Sequence, residues 1–227
     1  LSTSDKVVDY PEINFEKPEQ KPYDGVIAIP GILEAENYDE GGAGLAFQDD
    51  DAANHGGVYR NDDVDITEVD GGGYAIGWTS KGEWLEYTID VAHTETYELE
   101  LRVASGLEGS GFSLFIDGKA VTDKIEVPQG KDWETYQTIT ASTSEISKGK
   151  HILKILIEGS YVNIDWIRFK STTHTDVISI TDDNIIPNGE YQLYDIAGRL
   201  LRRIEIIDGH IPSEIDGVSN KGVYLLK

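Results

Sequence analysis

Short runs of residues that alternate between apolar and polar dominate the middle of this sequence. In YELELRV (97–103), Tyr97, Leu99, Leu101 and Val103 fall on one face, and the charged residues between them fall on the other. Such alternation is typical of a β-strand with one buried face. Similar short runs follow in GFSLFIDGKAV, WETYQTIT, HILKILI and VNIDWIRF, and no stretch keeps a helical period. Many short strands with glycine-rich turns predict an all-β fold, a β-sandwich of the jelly-roll type.

Composition divides the chain into four parts. Residues 1–25 carry three prolines and many charges without a sustained period, which predicts a linker or an extended arm. The alternating runs lie within residues 26–170, the predicted β-sandwich. Residues 171–184 are rich in threonine, serine and aspartate and predict a second linker. Residues 185–227 contain a predicted hairpin and a final strand, and so form a small C-terminal β unit.

Charge and composition exclude several classes of function. A net charge of −23 argues against nucleic acid and against anionic membranes as partners, and it permits neutral ligands and cations. The absence of cysteine excludes disulfides, a thiol nucleophile and cysteine-ligated zinc. No apolar run is long enough to span a membrane. The absence of any methionine leads us to expect a mature or excised piece of a longer protein.

The sequence contains no recognisable catalytic motif. The G-x-S-x-G motif is absent, and the five histidines form no ligand-spaced group. The run Asp49-Asp50-Asp51 lacks the spacing of an EF-hand and predicts a surface loop. With 42 acidic residues, sequence spacing neither identifies nor excludes the carboxylate pair of a glycosidase. A glycoside hydrolase and a protein-binding or adhesion module therefore stay open as alternatives.

Four tryptophans are the most informative side chains. Trp78 and Trp133 sit at strand edges next to turns, where a core role and a ligand role are equally compatible with the sequence. Trp84 alternates with the polar residues of its strand, and so is predicted to point away from the core. Trp166 lies in the apolar run IDWIRF and is predicted to be a core residue. An exposed aromatic ring near an amide or a carboxylate suits a sugar, because its C–H face stacks on the ring while its hydroxyls form hydrogen bonds.

Eight motifs, in order and spacing, resemble carbohydrate-binding module family 6 over about residues 26–170. They are ILEAENYDEGG, GGVYRNDDVDI, GGGYAIGWTSKGEWLEYTIDV, YELELRVAS, FSLFIDG, DWETYQTIT, SKGKHILKI and NIDWIRF. The resemblance implies a β-sandwich that binds polysaccharide, such as xylan, β-glucan or agarose, and has no catalytic activity. It also implies attachment to a glycoside hydrolase in the same parent chain. We therefore expect a monomeric module that is secreted or at the cell surface.

The resemblance also assigns roles to individual residues. Two aromatics that clamp a sugar ring match Trp78 and Trp133, and an amide that binds its hydroxyls matches Asn163. A polar residue that joins them matches Glu68, which we favour over Thr67. Some members of the family use a second cleft on the face of one sheet, with a tryptophan that matches Trp84.

A structural calcium ion is the cofactor that the resemblance implies. On the residues alone, Glu34 and Glu36 share one side of a predicted strand, and a solvated edge explains them better than a cation does. In the family resembled here, the metal ligands match Glu34, Glu36 and Asp165, with a backbone carbonyl at Arg60. The resemblance therefore favours Ca²⁺, which takes several carboxylate and carbonyl oxygens as ligands.

The C-terminal tail is similar to a second family. YQLYDIAGRLL and GVYLLK resemble the C-terminal sorting domains of Bacteroidetes-type secretion. This similarity leads us to expect a tail that takes part in export.

Overall fold

The computed structural model of the 227-residue chain describes residues 19–159, 161–172, 177–178, 189–195, 200–206 and 223–226. Within them, the first nine strands are β1 (Ile27–Ile29), β2 (Gly31–Glu34), β3 (Phe47–Gln48), β4 (Ile66–Glu68), β5 (Tyr74–Ile76), β6 (Trp84–Val91), β7 (Tyr97–Ala104), β8 (Gly111–Ile116) and β9 (Lys119–Ala120). The next eight are β10 (Ile125–Glu126), β11 (Gln137–Ser142), β12 (Gly149–Gly159), β13 (Asn163–Ser171), β14 (Val177–Ile178), β15 (Gly189–Asp195), β16 (Leu200–Ile206) and β17 (Val223–Leu226). A 3₁₀ helix, Ala35–Asn37, follows β2.

Two sheets form the body of the protein. The first has the strand order β1-β6-β12-β8-β10, with β3 beside β6 and β9 beside β8. The second has the order β11-β7-β13-β5-β4, with β2 beside β13. Most neighbours are antiparallel, and β1 and β6 run parallel. The prediction of an all-β sandwich is confirmed.

The inner faces of the two sheets meet in one hydrophobic core. In β6 the residues from Leu85 to Val91 alternate as predicted, with Leu85, Tyr87, Ile89 and Val91 buried and the residues between them more exposed. The apolar side of β7 packs in the same cluster from the other sheet. Burial of one such side chain stabilises the fold by roughly 1.5–3 kcal/mol. The alternation thus explains why these strands form a sandwich.

Trp166 lies outside this core, so the prediction made from the run IDWIRF is wrong. The pairing of β13 with β7 shifts between Ile164 and Trp166, which leaves Asp165 as an extra residue in a β-bulge. Ile164 and Ile167 are both fully buried, whereas Trp166 is half-buried, with the Arg168 guanidinium 5.1 Å from its ring centre. The bulge reverses the expected face, and an apolar run does not reveal a bulge.

The structure of the two ends of the chain only partly follows the predicted domain boundaries. Residues 1–18 of the predicted arm and residues 179–188 lie outside the described residues. The described part of the arm contacts the sandwich, because the Lys21 N–H donates to the Glu40 carbonyl at 3.0 Å. A third sheet has the order β14-β17-β15-β16, and β14 falls within the predicted linker. The fourfold division of the chain stays a prediction.

Several loops meet at one end of the second sheet, because the strands that they follow or precede are neighbours there. The loop after β5 begins at Gly77, and β13 begins at Asn163, whose neighbour Ile164 pairs with Ile76. The Asn163 backbone pairs with Ala104 at the end of β7, and Gln137 at the start of β11 pairs with Val103. The sheet therefore brings four loops together, although they are far apart in sequence.

Among the described residues, no helix has the length and apolar character that a membrane span requires.

Candidate functional site

A cleft of about 640 Å³ opens where these loops meet. Its lining residues come from β4, from the loops on either side of β5, from the loops before β11 and β13, and from the first residue of β13. They are Thr67, Glu68, Asp70, Trp78, Trp133, Glu134, Tyr136, Tyr161 and Asn163. The four residues predicted for sugar binding, Trp78, Trp133, Asn163 and Glu68, are all among them. Thr67, the alternative to Glu68, lines the same cleft.

Trp78 is held with half of its side chain in solvent. Its exposed fraction is 50%, and its φ of 46° lies in the left-handed region, which a tryptophan rarely adopts. The next residue fixes this conformation, since the Thr79 hydroxyl donates to the Val162 carbonyl and accepts from the Val162 N–H, both at 2.9 Å. The Tyr161 N–H donates to the Thr79 carbonyl at 2.6 Å. These bonds join the Trp78 loop to the loop before β13.

Trp133 is 42% exposed on the loop before β11. The Asp132 carboxylate organises that loop, because it accepts from the N–H groups of Glu134 at 3.1 Å and Thr135 at 2.6 Å. The Trp133 ring rests on Gly106, where a Cβ atom would lie 3.0 Å from two ring carbons. The backbone of the neighbouring loop is therefore the support of this ring.

Asn163 connects the two tryptophan loops from below. Its side chain is buried, and its Nδ2 donates to the Trp133 carbonyl at 2.9 Å. Its Oδ1 lies close to Gly77, where an added Cβ would be 3.2 Å away. An amide has two N–H donors and one acceptor oxygen, so capacity for a ligand hydroxyl remains.

Tyr136 contributes a hydroxyl to the cleft that sequence reasoning missed. This hydroxyl is buried and makes no hydrogen bond of ordinary geometry with the described residues. Burial raises its pKa, and the nearby Asn163 amide and Arg102 guanidinium oppose the rise. The hydroxyl is therefore neutral at physiological pH, and it is a polar group in need of a partner.

Tyr161 is a third exposed aromatic side chain of the cleft, and it was not predicted from the sequence. It is 49% exposed, with a φ of 63°. Its carbonyl accepts from the Ser105 hydroxyl at 2.9 Å and from the Ser110 hydroxyl at 3.3 Å, and these bonds hold the turn in place. The signal was present in the sequence, since an aromatic in the turn EGSYVN stands two residues before the predicted ligand Asn163. Three aromatic rings and one amide therefore converge on this cleft.

Trp84 lies elsewhere, on the outer face of β6. It is half-buried, and it does not line the cleft. The Lys154 ammonium lies 3.9 Å from its ring centre and forms a 2.8 Å ion pair with Glu86. The Lys154 ammonium therefore covers one face of the ring by a cation–π contact.

Three carboxylates predicted to bind calcium lie at the junction of β2 and β13. Glu34 at the end of β2 pairs with Trp166, the residue after Asp165. Glu36 is buried in the 3₁₀ helix, and its Oε2 has no hydrogen-bond partner among the described residues. Burial raises the pKa of Glu36 to about 7, and the charge of Glu34 adds to the rise. A buried, unpartnered carboxylate oxygen beside a second carboxylate fits a hard cation such as Ca²⁺.

The remaining predicted ligands are engaged with protein groups. Asp165 is buried and paired with the Arg102 guanidinium. The Arg60 guanidinium binds the carbonyl oxygens of Tyr38 and Asp39, while its own carbonyl accepts from Asn54 Nδ2 at 3.2 Å. Within the described ranges, only Asp49, Asp50 and Glu83 have carboxylate oxygens that all lie within 4.8 Å of one another. The structure therefore does not gather the carboxylates of Glu34, Glu36 and Asp165 so tightly.

The cleft and its surroundings fall within a recognisable domain. The profile of the carbohydrate binding module (family 6) matches residues 34–171, more than half of the chain. The chain belongs to carbohydrate binding module family 6. Residues 34–171 accordingly form a non-catalytic, carbohydrate-binding domain, and all nine lining residues of the cleft lie within the match.

This family 6 chain covers different shares of the length of its individual relatives. The beta-agarase AgaA of Microbulbifer thermotolerans is 31% identical over 103 residues, which are 43% of this chain and 24% of the agarase. The chain thus spans about a quarter of that curated relative. A β-1,3-glucan-binding family 6 module from Bacillus halodurans is 23% identical and has a TM-score of 0.50, covering 65% of this chain and all of that one (100%). The C-terminal family 6 module of LamC, a marine laminarinase from Zobellia galactanivorans, is 26% identical, with a TM-score of 0.49 over 62% of this chain and 98% of that one. The Bacillus likeness supports the sandwich fold.

The support of Trp133 in this family 6 domain leads to a prediction for Gly106→Ala. The added methyl group meets the ring at 3.0 Å, so the ring has to shift. We expect oligosaccharide affinity to fall by about threefold to tenfold, a part of what a whole aromatic stack contributes. Isothermal titration calorimetry measures the fall. Gly130→Ala is the matched control, since its Cβ would meet nothing closer than 3.5 Å. Equal affinity of the two variants would contradict the supporting role of Gly106.

Proposed function

We propose that this chain binds a neutral polysaccharide between Trp78 and Trp133 and thereby holds a glycoside hydrolase of the same parent chain at its substrate. The observation that carries the proposal is the set of three half-exposed aromatic rings, Trp78, Trp133 and Tyr161, around the buried amide of Asn163. Large aromatic side chains are rarely left in solvent together, and such a group marks a binding surface.

Each group of the cleft has a part in this binding. The rings of Trp78 and Trp133 offer apolar faces to the C–H faces of a sugar ring, and Tyr161 offers a further ring for a neighbouring unit. Asn163 and the Tyr136 hydroxyl supply hydrogen bonds at the floor. Glu68 and Thr67 supply acceptors at the rim. A mostly apolar cleft with a few fixed polar groups is the usual design of a small-ligand site.

The relatives suggest which polysaccharides to test first. The agarase relative favours agarose, a neutral galactan, and the Bacillus module favours β-1,3-glucan. Loops differ most between proteins of one fold, and eight of the nine lining residues here lie in loops or at strand ends, Thr67 in the middle of β4 being the exception. Agarose and laminarin are therefore the first ligands, and xylan is the third.

The context of the module is part of the same proposal. The agarase relative extends well beyond the region it shares with this chain, and so leaves room for a catalytic domain. Polysaccharides of this size lie outside the cell, so we infer a secreted or surface location. The resemblance of the tail to a sorting domain supports export. We also infer that the module acts as a monomer, since a single chain supplies all nine lining residues of the cleft.

Affinity electrophoresis with the isolated chain tests the proposal. We expect retarded migration in gels that contain one of the three polysaccharides and unchanged migration in a gel without polysaccharide. A parallel assay for new reducing ends should stay at its blank value. Unretarded migration in every gel would contradict polysaccharide binding, and new reducing ends would favour the hydrolase alternative.

We propose in addition that Ca²⁺ binds at Glu34, Glu36, Asp165 and the Arg60 carbonyl as a structural ion. The unpartnered Oε2 of Glu36 supports this proposal, because a bound cation would satisfy it. When bound, the ion would tie β2 to β13 by charge neutralisation. Asp165 would then share its carboxylate between the ion and Arg102.

Chelation should therefore lower the thermal stability of the module. Calcium at about 100 times its dissociation constant contributes about 2.7 kcal/mol, which corresponds to a melting temperature roughly 5–10 °C higher. Differential scanning calorimetry with calcium and with EDTA measures the difference. Glu36→Gln should remove it, whereas Glu145→Gln, on the exposed surface, should keep it. A wild-type melting temperature that is the same with calcium and with EDTA would refute the proposal.

A further inference from the structure

The rim of the cleft is strongly acidic. Of its nine lining residues, Glu68, Asp70 and Glu134 carry carboxylates, and none is lysine, arginine or histidine. Glu68 lies at the end of β4, Asp70 in the turn before β5, and Glu134 directly after Trp133. All three are exposed, so their charges face the solvent that a ligand would replace.

No lysine, arginine or histidine of the described residues forms an ion pair with these three groups. None of the ion pairs that the structure shows within 4.0 Å includes Glu68, Asp70 or Glu134. The nearest lysine in sequence, Lys131, is 3.8 Å from Asp132 instead, with an 84% exposed side chain. The chain as a whole has a net charge of −23, so its long-range electrostatic field is negative, like the charges at the rim.

The aromatic rings of the cleft add to this preference. The faces of tryptophan and tyrosine rings attract cations through their quadrupole, and Trp78, Trp133 and Tyr161 all present exposed rings here. A ligand that carries an ammonium group would therefore meet attraction from the rings and from the rim. A ligand that carries a carboxylate or a sulfate would meet repulsion from both.

We propose that this cleft selects glycans by charge, so that amino-sugar chains bind more tightly than neutral chains of the same linkage, and sulfated or uronate chains are excluded. The ligand class with the highest affinity is a polymer that contains unacetylated hexosamine. This inference rests on the proposed sugar-binding function of the same cleft. It goes beyond that function, because aromatic stacking alone does not distinguish these chains.

The size of the effect follows from Coulomb's law. A unit charge about 7 Å from a carboxylate, in a medium as polar as water, changes the binding constant by about threefold. Three carboxylates together should give about tenfold per ligand charge at low ionic strength, after allowance for screening. The effect should shrink strongly at about 0.3 M salt, where the Debye length is shorter than these distances.

Three hexasaccharides with the same β-1,4-linked gluco backbone test the inference. One has a hydroxyl at C2, one has a protonated amine at C2, and one has a carboxylate at C6. Isothermal titration calorimetry with the full chain at pH 6 should rank the amine above the hydroxyl and the hydroxyl above the carboxylate. If electrophoresis has shown agarose to be the ligand, neutral and sulfated agaro-oligosaccharides replace the second comparison.

Two double variants separate charge from other causes. Asp70→Asn and Glu134→Gln together, which leave the proposed sugar-binding residue Glu68 unchanged, should flatten most of the ranking, while affinity for the neutral hexasaccharide stays within about threefold. Asp90→Asn and Glu145→Gln together change the net charge equally, outside the cleft, and should keep the ranking. A flat or reversed ranking in the wild type would overturn the charge inference and leave sugar binding intact. Absence of binding to every ligand would overturn both.

Discussion

Replacement of both Trp78 and Trp133 by alanine should abolish measurable binding of oligosaccharide. Removal of one aromatic platform costs about 1–3 kcal/mol, which is about 5-fold to 150-fold in affinity. The two rings belong to loops joined through Asn163, and in the proposed binding mode each would contact the ligand separately. The loss of binding free energy in the double variant should therefore approach the sum of the two single losses. This sum corresponds to a fall in affinity of about 25-fold at least.

The fold should survive these changes, and this separates them from simple destabilisation. Half of the Trp78 side chain and 42% of Trp133 are already in solvent, and neither residue belongs to the hydrophobic core. We expect melting temperatures close to that of the wild type. Isothermal titration calorimetry with the best oligosaccharide from the electrophoresis gives the affinities of both single variants and the double variant.

Trp166→Ala is the matched control, because it removes a half-buried tryptophan from the outer face of the sandwich and leaves the cleft untouched. Its affinity should equal that of the wild type. If Trp166→Ala lost binding as strongly as Trp133→Ala, or if the double variant kept wild-type affinity, the ligand would not be bound between Trp78 and Trp133.

The sandwich could be predicted from sequence because burial imposes a visible pattern. A strand with one face in the core has to alternate, and β6 and β7 do so from Leu85 to Val91 and from Tyr97 to Val103. The exception is Trp166, which the bulge at Asp165 moved to the outer face. A bulge depends on the register of two strands, so one strand's sequence does not contain it.

The cleft could be predicted only in part, for a related reason. Trp78, Trp133, Asn163 and Glu68 came from a family resemblance, and the structure brings all four to one cleft. Tyr161, Tyr136, Asp70 and Glu134 were missed, because a residue's role here depends on which loops meet at the end of a sheet. Those loops are separated by up to about 90 positions, and no local pattern links them.

A buried acidic group outside the cleft predicts an unusual dependence of stability on pH. Glu83 is only 8% exposed, and it accepts from the N–H groups of Ser80 at 2.8 Å and Asp50 at 3.2 Å. Burial raises the pKa of Glu83 to about 8, despite these donors, and the charges of Asp49 and Asp50 add to the rise. The aspartate run predicted as a surface loop therefore packs against a buried carboxyl group.

The sign of the effect follows from the two states of the chain. In the unfolded chain Glu83 should titrate near 4.5, the ordinary pKa of a glutamate, whereas in the folded chain it holds its proton up to about pH 8. The folded state thus binds more protons between these values, and its stability falls as pH rises through that window. A rise of this size in pKa corresponds to a loss on the order of 2–5 kcal/mol, which is complete above about pH 8.

Glu83→Gln should remove most of this loss. The neutral amide resembles the protonated carboxyl group, so the variant should match the wild type near pH 4.5 and exceed it by about 1–3 kcal/mol near pH 9. Urea unfolding at intervals between pH 4.5 and 9, with EDTA present so that no divalent cation neutralises the carboxylates, measures both curves. The stability curve of Glu145→Gln, a change at an exposed position, should run parallel to that of the wild type.

If the Glu83→Gln curve fell with pH as steeply as the wild-type curve, the stability loss would have to come from another group. The neighbouring Asp49 would then be the first to examine, because burial raises its pKa to about 6.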